Sequence, residues 1–217
     1  MLRLLITLCL AAAPVRADEP APPGPVTTLA HALALYERAS AQGEALEMAV
    51  AVRLAHGIGL REATRWTRET DKIPAAETPG RSHAVTLDLL LSDAAWAGAL
   101  LMAEEDELMA EVLATLPPPG RQGSASRMRA DLPAARQDLW QIPLAGQSPA
   151  EIAVFPARAG GQPRILWRVE DSGGETVCPP REAGFTACRF TPAANGFYRV
   201  VIANPSGESG EYLLLSN

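Results

Sequence analysis

Three histidines are the first residues to test for chemistry, and their spacing assembles none. His31, His56 and His83 contain no i, i+4 pair, and no H-E-x-x-H or H-x-H occurs, so zinc ligation from one helix face has no residues to use. Each is expected on a helix surface, at a helix end or in a loop. There is no G-x-S-x-G nucleophile elbow, no phosphate loop and no G-x-G-x-x-G. Glu104-Glu105-Asp106-Glu107 is a run of acids, but consecutive side chains fan around a helix instead of converging on an ion. The run is expected to sit at the positive end of a helix dipole. Arg61, Arg65, Trp66, Arg68 and Lys72 alternate with Glu62, Glu69 and Asp71. The alternating signs favour a solvated loop, with Trp66 lidding the core, over an anion site. No catalytic, cofactor-binding or metal residue is expected, and these residues give no case for an enzyme.

The elements that must position any surface follow from the rest of the chain. Its 217 residues, 23.0 kDa, allow one or two domains with a real core. A net charge of -6 gives no electrostatic case for nucleic acid or an anionic membrane surface as partner. Met1 to Ala17 has the form of a secretory signal peptide: Arg3, an apolar run from Leu4 to Ala13, then Val15-Arg16-Ala17 at the cleavage site. The run is about ten residues, and a membrane span needs about 20. Cleavage removes Arg3 and Arg16 and takes the net charge to -8. The expected location is periplasmic or secreted. Residues 18–25 form a Pro-rich, extended leader.

Residues 26–116 read as a helical domain. Thr27 or Thr28 is the expected N-cap, and Leu29, Leu33 and Tyr36 recur at i, i+4, i+7. After Gly43 a second run, 44–56, puts Leu46, Val50 and Leu54 on one face, which predicts a helical hairpin. Residues 59–81 read as irregular. A further helix is expected over 85–101, and another carries Leu108, Met109, Val112, Leu113 and Leu116. Pro117-Pro118-Pro119-Gly120 opens a linker, 117–126.

Residues 127–217 read as strands punctuated by Gly and Pro. Trp140, Ile142 and Leu144 share one face, as do Ile165, Trp167 and Val169, and Tyr198, Val200 and Ile202. Turn signals every 8–12 residues are the pattern of a β-sandwich. Trp140, Trp167, Tyr198 and Tyr212 are expected inward.

This half resembles the bacterial pre-peptidase C-terminal (PPC) domain. Asp138-Leu-Trp140-Gln-Ile142-Pro-Leu144-Ala-Gly146 is similar to its opening D-x-aromatic-x-apolar-x-L-x-x-G. Val169-Glu-Asp171-Ser-Gly-Gly174 is similar to its strand and turn. Phe190 to Ile202 resembles F-x-P-x-x-x-G-x-Y-x-V-x-V, and Gly210-Glu-Tyr212-Leu-Leu214 the final G-x-Y-x-L strand. The resemblance covers about 80 residues and implies a jelly-roll sandwich that serves as an accessory module on secreted proteins. Some relatives bind calcium through acids. Here Arg164-Ile165-Leu166-Trp167 replaces the acidic strand, and Asp171 alone cannot supply the six to eight oxygens calcium takes.

The expected fold is thus α+β in two segregated parts, an N-terminal helical hairpin or bundle followed by a C-terminal all-β sandwich of jelly-roll type. Cys9 leaves with the signal peptide, so Cys178 and Cys188 are expected to pair. Phe197, Arg199 and Val201, with Leu213 and Leu215, form the expected contact surface, either for the helical half or for a partner. The expected function is that of an exported, non-enzymatic accessory protein of the cell envelope that contacts a protein or polymer and needs no cofactor. A regulator of a secreted peptidase or hydrolase system, or a structural envelope protein, are the alternatives.

Overall fold

The computed structural model of the protein describes residues 22–76 and 79–217. The expected signal peptide and residues 18–21 of the leader lie outside the described residues. The helices are α1 (Pro25–Gln42), α2 (Ala45–His56), α3 (Leu87–Leu90), α4 (Asp93–Met102) and α5 (Glu107–Thr115). The strands are β1 (Ile58–Glu62), β2 (Thr67–Lys72), β3 (Arg81–His83), β4 (Gly123–Leu132), β5 (Arg136–Leu144), β6 (Ala150–Pro156), β7 (Gly160–Gln162), β8 (Leu166–Glu170), β9 (Thr176–Glu182), β10 (Ala187–Phe190), β11 (Gly196–Asn204) and β12 (Gly210–Ser216).

Two five-stranded sheets stack face to face. Sheet A has the order β1-β4-β12-β6-β10 and sheet B the order β2-β5-β11-β8-β9. Without β1 and β2, each is a four-stranded sheet and the chain crosses repeatedly from one to the other, the connectivity of a jelly roll. The segment expected to be irregular, 59–81, therefore needs correction. It supplies β1, parallel to β4, and β2, antiparallel to β5, and the short β3 pairs with β7. His83, expected in a loop or at a helix end, sits in β3. Every residue of β2 is exposed and most are polar or charged, as suits a sheet edge, so no apolar alternation marks the strand. Trp66 does lid the core, edge-on to Trp140 at 6.4 Å.

Sheet A is buried on both sides. Its inner face, with Leu132, Ile152, Val154, Tyr212 and Leu214, meets Trp140, Ile142, Trp167, Val169, Val200 and Ile202 of sheet B. Its outer face, with Ala153, Phe155, Leu213 and Leu215, meets the helices. That is why β6 and β12 are buried at nearly every position and carry consecutive apolar residues instead of alternating.

The helical layer departs from its sequence pattern in three places. First, α1 starts at Pro25 with Gly24 as its N-cap, not Thr27 or Thr28. Second, α2 turns its Ala-rich face inward. Ala45, Met48, Ala49, Val52 and Ala55 are buried, whereas Leu46 and Val50 are 43% and 41% exposed. Small side chains let α1 and α2 approach closely, and the larger aliphatics are left outside. Third, the helix expected over 85–101 breaks at Leu91-Ser92 into α3 and α4, with Thr86 Oγ1 accepting from Leu89 N to cap α3. The acidic run behaves as its charge implies. Asp106 caps α5 by accepting from Met109 N at 3.0 Å, and Glu107 lies in its first turn.

One carboxylate joins the helical layer to the sandwich. Glu151, on β6 and 1% exposed, accepts from the backbone N–H groups of Gly24 (2.8 Å), Val26 (3.0 Å) and Thr27 (3.0 Å), and from Thr27 Oγ1 (2.8 Å). These are N–H groups that a helix start leaves without an intrahelical acceptor. A Cβ on Gly24 would lie 2.6 Å from the carboxylate, so only glycine permits the approach. The disulfide is a second tie. Cys178 on β9 and Cys188 on β10 are bonded with Cα atoms 6.2 Å apart, and the bond links the two sheets. Pro179 and Pro180 lie in β9, an edge strand, where a missing N–H is tolerated.

Two outcomes follow. Glu151→Ala leaves the start of α1 uncapped in a buried place and should lower the unfolding free energy by about 2–4 kcal/mol in urea denaturation. Thiol titration of denatured, unreduced protein spanning residues 18–217 should find no free thiol. Reduction should cost roughly 2.5–3 kcal/mol for so short a loop.

Candidate contact surfaces and the buried polar cluster

The expected strip divides between two sheets. Leu213 and Leu215 lie on β12 of sheet A and are buried under the helices, so they are core and not open surface. Val201 is on β11 of sheet B, but it too is buried, between its register neighbours Leu139 and Arg168. Only Phe197, 58% exposed, and Arg199 face solvent. The reason is topological: β11 and β12 follow one another in the chain but belong to opposite sheets, so their outward faces point away from each other.

On the open face of sheet B, Phe197 stands beside its register partner Pro143. Arg199 Nε approaches Glu170 at 2.9 Å, and Arg168 Nε donates to the same carboxylate at 2.7 Å. The face thus combines an uncovered aromatic ring with a row of polar side chains held by ion pairs.

Beneath it lies a buried polar cluster whose members come from distant segments. Asp138 is fully buried. Its Oδ1 accepts from Thr70 Oγ1 at 2.6 Å, and its Oδ2 accepts from the Tyr212 hydroxyl and faces Arg68 at 2.8 Å. Trp140 Nε1 donates to the Tyr212 hydroxyl at 2.6 Å, and the Arg68 guanidinium lies over the Trp140 ring at 5.7 Å. Burial, and then the charge of Asp138, push the Tyr212 hydroxyl well above the usual tyrosine range. Asp138 has both oxygens engaged by neighbours of its own chain, so its role is to hold β2 and β12 to β5. Asp138, Trp140 and Tyr212 belong to the segments that carry the PPC resemblance. Arg68 and Thr70, in the stretch read as loop, were beyond sequence reasoning, because nothing local pairs them with a residue near 138.

Other polar residues singled out by sequence serve turns. Asp171 Oδ1 accepts from Gly173 N and Glu175 N, and Gly174 takes φ +86°. Asn195 Oδ1 accepts from Gly146 N at 2.8 Å, where a Cβ on Gly146 would lie 2.5 Å from the Ala194 backbone. Arg129 joins Asp88 of α3 to Glu211 of β12, and Arg158 also binds Glu211. Burial opposes ionisation of Glu211, but the two arginines outweigh it and hold its carboxyl below the ordinary range. His31 and His56 are exposed helix residues, and His83 packs on Phe185 at 4.9 Å. Among the described residues no group of three or more His, Cys, Asp or Glu converges as metal ligands, and no helix is long and apolar enough to cross a membrane.

No family model matches the chain, and no curated protein matches it significantly. Solved structures align with less than half of it. The crystal structure of Aeromonas hydrophila PliG, a periplasmic lysozyme inhibitor of g-type lysozyme, aligns over 43% of this chain and 84% of that one, at 12% identity and a TM-score of 0.34. A de novo designed double-stranded β-helix aligns over 42% and 97%, at 11% identity and a TM-score of 0.27. PirA aligns over 42% and 93%, at 7% identity and 0.28. Alignments this loose say nothing about partner or activity.

The cluster gives a test with a definite sign. In the unfolded chain a tyrosine ionises near pH 10, whereas folded Tyr212 stays protonated beyond that. A raised folded pKa contributes stability that is whole below the unfolded value and is lost as pH rises above it. Tyr212→Phe should therefore lower stability by about 1–3 kcal/mol at pH 7, by stranding Trp140 Nε1. It should also make the fall in stability above pH 10 shallower, as followed by urea denaturation across pH 8–11.

Proposed function

We propose that this is an exported, non-enzymatic binding protein of the cell envelope, and that its PPC-like jelly roll contacts a protein or polymer partner through the outer face of sheet B. One observation carries the reading: the helices cover the outer face of sheet A, whereas among the described residues no layer covers the outer face of sheet B, where Phe197 stands exposed. An exposed ring beside Pro143 supplies apolar area, and Arg199, Glu170 and Arg168 continue the same face as a polar row fixed by ion pairs, so apolar and polar groups stand side by side as in a protein interface. The Cys178–Cys188 bond supports export, because such bonds persist in oxidising compartments. The order of the PPC-like segments, each placed on a strand or turn of the jelly roll, supports the family relation.

The test combines Phe197→Ala with Arg199→Glu in protein spanning residues 18–217. Both positions are exposed, so the melting temperature should change little. Cosedimentation with purified sacculi, and retention of envelope proteins on the immobilised chain, should both be measured. Loss of binding in either assay with folding intact supports this surface, whereas unchanged binding by the double variant assigns the partner site elsewhere.

A further inference from the structure

The helical layer has an outer face of its own, and its chemistry differs from that of sheet B. Of the eight large apolar residues that the described structure leaves exposed, seven lie on α2, α4 and α5. They are ordered. Leu46, Val50 and Arg53 follow i, i+4, i+7 along α2, Trp96 and Leu100 follow i, i+4 on α4, and Leu108 and Val112 on α5 lead to Leu116. Arg53, Trp96 and Leu116, one from the end of each stripe, line a single groove of about 380 Å³ together with Val52, His56 and Pro118. Three apolar stripes that converge on one groove have the shape that receives the apolar face of an amphipathic helix. The exposure is large for a soluble surface: Leu108 is 73% exposed and Leu101 68%.

Charge selects the occupant. Residues 85–116 hold seven acids and no Lys, Arg or His. Asp88 is tied to Arg127 and Arg129, and Asp106 caps α5. Asp93, Glu104, Glu105, Glu107 and Glu111 flank the apolar stripes without an ion pair among the described residues. A second copy docking face to face would set these acids against their own kind, and an anionic membrane would be repelled. A helix with Lys or Arg beside its apolar stripe satisfies both features. Arg53 and His56, which line the groove, favour the negative C-terminal end of that helix.

We propose that the outer face of the α2–α4–α5 layer docks an amphipathic, basic-flanked helix of a protein partner. This rests on residues separate from those of sheet B, so the two surfaces can fail independently.

A fluorescein-labelled peptide of 18 residues, with Leu at helical i, i+3, i+4 spacing and Lys on both flanks, serves as the probe. A second peptide with Glu in place of Lys is the control. Anisotropy titration should give saturable binding of the Lys peptide by the wild-type protein and none of the Glu peptide. Leu46→Ser with Leu108→Ser alters only exposed side chains and should weaken binding at least tenfold, with an unchanged circular dichroism spectrum. Glu107→Lys with Glu111→Lys should weaken it to a similar degree. Glu69→Lys with Asp71→Lys, on the distant edge strand β2, should not. Equal binding by the Leu46→Ser/Leu108→Ser variant would mean unspecific charge attraction and overturn the proposal, as would absence of binding. Two further results would overturn it by naming another occupant. One is concentration-dependent dimerisation in sedimentation that the Leu46→Ser/Leu108→Ser pair abolishes. The other is wild-type binding to phosphatidylglycerol–phosphatidylethanolamine vesicles that the same pair abolishes.

Discussion

The buried carboxylate of Glu151 is the contact on which the arrangement of layers depends. A charge taken out of water must find compensation, and here it finds the first N–H groups of α1 together with one hydroxyl. The exchange is mutual, because the helix start would otherwise hold unsatisfied donors at a buried place. The pairing also fixes geometry. With the start of α1 held to the start of β6, the apolar face of the helices has to lie on the outer face of sheet A. Leu213, Leu215, Ala153 and Phe155 then become core instead of surface. Gly24 is the covalent condition for this contact, since any side chain there would displace the carboxylate.

A second buried charge performs the corresponding task inside the sandwich. Asp138 gathers Thr70 and Arg68 from β2 and Tyr212 from β12, so an edge strand from the first half of the sequence is stitched to a strand of the sandwich far along the chain. The parts before and after residue 120 are therefore interleaved, with β1 and β2 completing sheets that the later strands begin. Truncation near the Pro run would remove an edge strand from each sheet and leave Asp138 without two of its partners.

What the sequence reveals follows from whether a signal is local. Sheet B alternates because its outer face is open, so Trp140, Ile142 and Leu144, and Tyr198, Val200 and Ile202, were legible as inward rows. Sheet A is covered on both sides, which erases alternation in β6 and β12; Leu213 and Leu215 do face outward from the sandwich, and there they meet the helical half, one of the two contacts the sequence left open. The charged edge strand β2 has no apolar period to read, and β1 offers only Ile58 and Leu60. On α2 two faces compete, one of Ala and one of Leu and Val. Hydrophobicity alone favours the larger side chains, while close packing against α1 selects the smaller ones. Glu151 and the Arg68–Asp138 pair were out of reach for another reason: each contact spans tens of residues of chain, and a lone Glu or Arg carries no mark of its partner.

The inverted face of α2 has a functional consequence. A helix that spends its alanines on the core can present leucine and valine outward at little cost to its packing, and α4 and α5 add to the same surface. On the far side of the three layers, sheet B presents one ring and a polar row. The two outer faces are chemically unlike, one apolar and acidic, the other sparse and held by ion pairs. They are also held in a fixed relation, since Glu151 locks helices to sheet A and the Cys178–Cys188 bond locks sheet A to sheet B. Sheets pack about 10 Å apart and helices at a similar distance, so ligands on the two faces would be kept apart by the full thickness of the molecule. If both proposed contacts form, the rigid body holds its two partners on opposite sides, which follows from those proposals and from the ties between the layers.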